Sequence, residues 1–72
     1  MAWKKEKETK HKVEFVNDVS ADLIEVWYNE SAGYWAVDLN GNNIMAIKRR
    51  TSDAINFAKK WMLKHPKGWK GH

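Results

Sequence analysis

Among the side chains most often used for covalent and acid–base chemistry, this chain offers Ser20, Ser31 and Ser52, three histidines and nine carboxylates, and no cysteine. A nucleophilic triad needs a hydroxyl within reach of a base that a third group orients. None of the serines has a histidine nearby in sequence, and His11, His65 and His72 all lie in or beside the termini. A metal centre would require those histidines to converge with a carboxylate; they read more simply as surface or tail residues. Glu25 and Asp38 are the one carboxylate pair to consider for acid–base work, but a domain this small has little room for the concave, apolar cleft a substrate needs. Gly33, Gly41, Gly68 and Gly71 do not make a phosphate-binding fingerprint, because none stands between a strand and a helix at the required spacing. The expectation is a non-enzymatic protein without metal, cofactor or small-molecule substrate.

The cations are more informative. Residues 1–12 sum to +3, residues 13–47 hold six carboxylates and no Lys or Arg, and residues 48–72 sum to +7, for a net charge of +4. A polyanion should therefore meet the two ends of the chain and be repelled by its middle. Alternatively, the acidic and basic blocks face each other within the fold or across a dimer. Lys48, Arg49 and Arg50 form the densest basic cluster, and both arginines can grip phosphate in a bidentate way. Lys59, Lys60 and Lys64 extend the positive surface, and the tail from His65 to His72 adds lysines, glycines and Trp69. A cationic tail bearing an aromatic residue suits phosphate neutralisation with base stacking. Its simpler reading is a chain end whose Trp69 packs on the domain.

These side chains need a scaffold, and 72 residues make one domain. No apolar stretch approaches the roughly 18 residues that span a bilayer. The absence of cysteine fits a reducing interior, and the charged N-terminus does not read as a secretory signal, so the expected location is cytoplasmic with no membrane contact. Residues 1–11 read as a flexible basic arm, residues 12–65 as a single α+β domain, and residues 66–72 as a flexible basic tail. Alternating apolar residues predict a short strand from Val13, a second over Asp22–Asn29 and a third over Tyr34–Leu39. Asn40-Gly41 marks a tight turn with positive φ at both residues, and a fourth strand near Asn43–Lys48 leads into a helix.

If Glu30–Gly33 is a four-residue loop, Asn29 faces Tyr34, Tyr28 faces Trp35, Val26 faces Val37 and Ile24 faces Leu39. That register puts the apolar residues on one side and sets Glu25 opposite Asp38, a mildly unfavourable pair. The next hairpin leaves open whether Ile44, or Met45 with Ile47, turns inward. Thr51 or Ser52 can cap the helix. Ala54, Ile55, Phe57, Ala58, Trp61 and Met62 fall on its buried arc, while Asn56, Lys59, Lys60, Leu63 and Lys64 face outward. The expected fold is α+β: an antiparallel three- to four-stranded β-meander with one C-terminal α-helix packed on one face.

One helix covers one face of such a sheet, which leaves Leu23, Trp27, Tyr34 and Ala36 on the other. An arm around Trp3 or a tail around Trp69 can cover them, or a homodimer or partner protein can pair with them. In topology alone, three antiparallel strands followed by a helix resemble the arm-type DNA-binding domains of phage integrases, in which the sheet enters the major groove. Here Val13–Ile47 carries no basic residue, so phosphates are expected at the strand–helix junction and the helix face instead. Two functions follow. The first is a small nucleic-acid-binding accessory or regulatory protein, of a kind a phage or mobile element encodes, using Lys48, Arg49, Arg50, Lys59, Lys60, Lys64 and Trp69. The second is a protein-interaction module or small inhibitor using Leu23, Trp27, Tyr34 and Ala36.

Overall fold

A computed structural model describes residues 2–47 and 49–69. Five strands, β1 (Trp3–Thr9), β2 (Lys12–Asn17), β3 (Leu23–Asn29), β4 (Tyr34–Leu39) and β5 (Asn42–Ile47), precede one helix, α1 (Thr51–Lys64). The sheet is an antiparallel meander in chain order, β1-β2-β3-β4-β5, so every strand pairs with its sequence neighbour. The α+β class and the single C-terminal helix agree with the sequence expectation, with one strand more than the three to four expected.

The additional strand is the segment read as an arm. Trp3 is its only buried residue, and the six that follow it in β1 are exposed. The Trp3 ring meets Trp61 edge-on, with centroids 6.0 Å apart, and its indole Nε1–H donates to the His65 carbonyl at 2.8 Å. One anchored indole and a full ladder to β2 are enough to order a segment otherwise made of lysine, glutamate and threonine. The same composition protects this sheet edge. Charged side chains and the register shift between Lys5 and Lys7 discourage another strand from pairing there.

The β3–β4 register is the expected one, including Glu25 opposite Asp38. Asn40 (φ 52) and Gly41 (φ 86) take the positive φ values of the tight turn. In β5 a register shift between Val37 and Asp38 resolves the open question, because Ile44 is the extra residue and both Ile44 and Met45 pack against the core. On the helix, Ala54, Ala58 and Met62 are buried and Lys59, Lys60, Leu63 and Lys64 are exposed. The small alanines let α1 sit close over β3, β4 and β5. Neither Thr51 nor Ser52 caps it. Arg50 occupies the N-cap in an extended conformation (φ −118, ψ 141) with no side-chain cap bond, so both hydroxyl residues lie within the first turn.

Candidate nucleic-acid interface

The candidate interface is built around the segment that follows the helix. After α1, residues 65–69 turn back and are tied to the corner between β2 and β3. Asn17 and Asp22 form that corner and are almost wholly buried, at 0% and 1% exposure. The Asn17 carbonyl and side-chain oxygens organise the turn, accepting from the Ala21 N–H and from the Val19 and Ser20 N–H groups respectively. Its side-chain amide donates to the Pro66 carbonyl at 3.2 Å. The Asp22 carboxylate accepts from Ser20 Oγ (2.7 Å), from the Asn40 amide (2.9 Å) and from the Trp69 backbone N–H (2.6 Å). Buried carboxylates are tolerated where charge-assisted hydrogen bonds satisfy them, and three converge here. Gly68 (φ +79) makes the turn possible, because any Cβ there would overlap Ser20 Oγ and stand 2.5 Å from Asp22 Oδ2.

This strap holds an aromatic stack. The Trp61 ring lies on His65 with centroids 3.8 Å apart and planes 20° from parallel. Trp69 stacks 6.1 Å from Trp61 at 30° and stays 53% exposed. A groove of about 310 Å³ runs between these two indoles and the β4–β5 turn, lined also by Leu39, Asn40, Asn42 and Ile44. The Asn40 amide is already engaged with the Leu23 N–H and Asp22, whereas the Asn42 amide is exposed and bonds none of the described residues. A groove of similar size, about 300 Å³, lies between β1, β2 and the helix, walled by Trp3, Phe15, Met62 and Leu63 with Lys5 and Lys59 at its rim. Its floor offers no amide or hydroxyl to read a ligand's polar edge.

The expected phosphate contacts divide along the helix. Arg49 and Arg50 are exposed at its start, and Lys59, Lys60 and Lys64 are exposed on its outer side. Lys48 lies outside the described residues. The helix spans about 21 Å, so the arginines and the Trp69 stack occupy opposite ends. Lys60 and Lys64 stand one turn apart near the stack, and Lys64 follows Trp61 by three residues and so neighbours it on the helix surface. Among the described residues, no carboxylate pairs with Arg49, Arg50, Lys59, Lys60 or Lys64; the ion pairs involve Lys4, Lys5 and Lys12 instead, and His11 Nδ1 stands 3.5 Å from Glu30.

The other sheet face has a different character. The ladder aligns Glu14 with Glu25 and Glu25 with Asp38, placing three carboxylates side by side across β2, β3 and β4. Lys12 reaches Glu25 at 3.0 Å and Glu14 at 3.4 Å. Its ammonium is held above the usual lysine value, first by the hydrogen bond to Glu25 and then by that carboxylate's charge. Asp38 accepts from the Trp27 indole at 2.9 Å and from the Asn43 amide at 3.1 Å. Of the residues expected to form an open apolar patch, Leu23, Trp27 and Tyr34 are half-buried, and Ala36 is a correction: at 2% exposure it contributes no surface. Ala36 stands opposite Trp27, so the large ring and its neighbours close over a residue with no side chain beyond Cβ.

Asn17 and Asp22 are not candidate site residues from sequence, and Gly68 enters there only among glycines that make no phosphate-binding fingerprint. The available signal was His65-Pro66-Lys67-Gly68, in which a proline and a glycine follow a helix end, as in a chain that turns back. Read by composition, that stretch was a flexible tail; through Trp69 it is instead hydrogen-bonded to the domain. Among the described residues no group of three His, Asp or Glu is placed to hold a metal ion, and no helix is long and apolar enough to cross a membrane. Comparison with protein-family models, curated proteins and solved structures finds no match for this chain.

Proposed function

We propose that this chain is a small non-enzymatic nucleic-acid-binding accessory or regulatory protein that holds phosphates along α1. The observation carrying this reading is the row of exposed cations, Arg49 and Arg50 at one end and Lys59, Lys60 and Lys64 along the outer face, with no carboxylate partner among the described residues. Cations already paired within the fold would have to surrender that pairing to bind phosphate; these do not. The acidic row on the opposite sheet face argues against a sheet-in-groove mode, because Glu14, Glu25 and Asp38 would repel the backbone.

The test is the salt dependence of affinity. Each phosphate neutralised contributes roughly 0.7 to the log–log slope for a single strand and about 0.9 for a duplex. Five cations therefore predict a slope of about −3.5 to −4.5, and replacing Lys59, Lys60 and Lys64 together by alanine should reduce its magnitude by about 2 to 3. Binding that ignores salt, or a triple variant with the wild-type slope, would remove this reading. Light scattering on the same samples addresses the interaction-module reading. A doubled mass that Trp27→Ala returns to a monomer, with polyanion affinity unchanged, would move function to the sheet face.

A further inference from the structure

We infer that the groove between Trp69 and the β4–β5 turn takes an unpaired nucleobase, so that the preferred ligand is a single strand. This rests on the nucleic-acid reading above and adds to it what the protein recognises besides phosphate. Three independent features point to the same ligand.

The first is that Trp69 is held in place while remaining half exposed. A tail tryptophan serving only to cover the domain would be expected to turn its ring inward. Here a buried carboxylate fixes its backbone N–H, a left-handed glycine passes tightly over Ser20, and Trp61 and His65 support the ring. A platform ordered in advance spares the ligand the entropy of ordering it. The second is the shape and chemistry of the groove. At about 310 Å³ it lies at the small end for ligand sites, its walls are indoles and aliphatic side chains, and the Asn42 amide stands at its edge with donor and acceptor both unclaimed by the described residues. A base offers a flat π-face and a hydrogen-bonding edge, the two surfaces such a groove complements. The third is the adjacent charge, because Lys60 immediately precedes Trp61 and Lys64 follows it by three residues, so both can hold the flanking phosphates. A base inside a duplex is stacked on both faces and paired along its edge, so it cannot present these surfaces.

The experiment titrates the full chain with short oligodeoxyadenylate, oligodeoxythymidylate, their duplex and an abasic strand of equal length, following tryptophan fluorescence and anisotropy across a salt series. The base-bearing strands should quench fluorescence and bind at least roughly tenfold more tightly than the abasic strand or the duplex. Trp69→Ala should weaken base-bearing strands by roughly 5- to 150-fold, leaving abasic affinity and the salt slope unchanged, while Trp69→Phe retains most of the preference. Asn42→Ala should narrow any difference between adenylate and thymidylate strands. Equal affinity for base-bearing and abasic strands, a preference for duplex, or a Trp69→Ala variant that weakens every ligand alike would each overturn the base site while leaving phosphate binding along α1 intact. Failure of every polyanion to bind in a salt-dependent way would overturn both. Urea midpoints of the Trp69 variants establish that they are folded, and Trp69→Phe still decides the matter if Trp69→Ala is not.

Discussion

Gly68→Ala tests whether the strap between the helix end and the β2–β3 corner is structurally demanding. Two costs combine. A residue with a Cβ at φ +79 pays about 1 kcal/mol for the left-handed conformation. The added methyl also stands 2.7 Å from Ser20 Cβ, an atom that no side-chain rotation can remove. The strap must therefore lift, and lifting it breaks the Trp69 N–H bond to a carboxylate that is 1% exposed, a loss of about 1–3 kcal/mol. The sum is about 2–4 kcal/mol, against roughly 4–11 kcal/mol expected for a whole domain of this size. With a urea slope of about 1 kcal/mol/M, the midpoint should fall by about 2 M or more at unchanged slope. Gly33→Ala supplies the comparison, since Gly33 has nearly the same φ (+75) but nothing within 4 Å of a built Cβ. It should cost only the conformational term, about 1 kcal/mol. Equal midpoints for the two variants would refute the claim that residues 65–69 are latched to Asp22 and Ser20.

Two further perturbations probe the parts of the fold that support the site. Trp3→Ala should cost about 3–5 kcal/mol and leave much of the chain unfolded by far-ultraviolet circular dichroism, because it removes the only buried side chain of β1 and the donor to the His65 carbonyl. Trp3→Phe keeps the ring and should cost far less. For Lys12, whose ammonium is held above the ordinary 10.5 by Glu25 and Glu14, the pairing stabilises the fold fully below pH 10.5 and is lost as pH rises through the higher folded-state value. Urea midpoints should therefore show wild type above Lys12→Met at pH 8, with the gap narrowing as pH rises beyond 10.5; a gap that does not narrow in alkaline solution would contradict this assignment.

What was legible in the sequence is what depends on local pattern. The β3–β4 register followed from alternation of apolar residues and one loop length, and the buried arc of α1 from a 3.6-residue period. Asn40-Gly41 specified its turn because few other pairs accept positive φ at both positions. The misread segments have weak local pattern and strong long-range partners. Lys4–Thr9 shows no apolar alternation, so its strand character comes from pairing with β2 and from a contact between Trp3 and the other end of the chain. The span from Pro66 to Trp69 has the composition of a linker, and its order comes from Asn17 and Asp22, more than forty residues earlier. The residues proposed to hold phosphate were visible as charge. The aromatic groove was not, because Trp61 reads as core from its helical position and joins Trp69 and Asn42 only through the tertiary fold.

The arrangement of charge explains how a chain of modest net charge can present a strongly positive face. Glu14, Glu25 and Asp38 lie on one side of the sheet, and the lysines of α1 lie on the far side of the helix that covers the other. The sheet and the helix packed on it lie between the two sets. Exposed charges more than about 8 Å apart are largely screened from one another at physiological ionic strength. The acidic row therefore does little to cancel the potential at the helix face, yet it acts locally on any polyanion that approaches the sheet. Placing like charges directly opposite one another costs stability, which Lys12, Trp27 and Asn43 partly offset. Under the proposed function the consequence is orientation: a phosphate chain would be turned away from the acidic side and received on the other, where the helix leads along its lysines to Trp69.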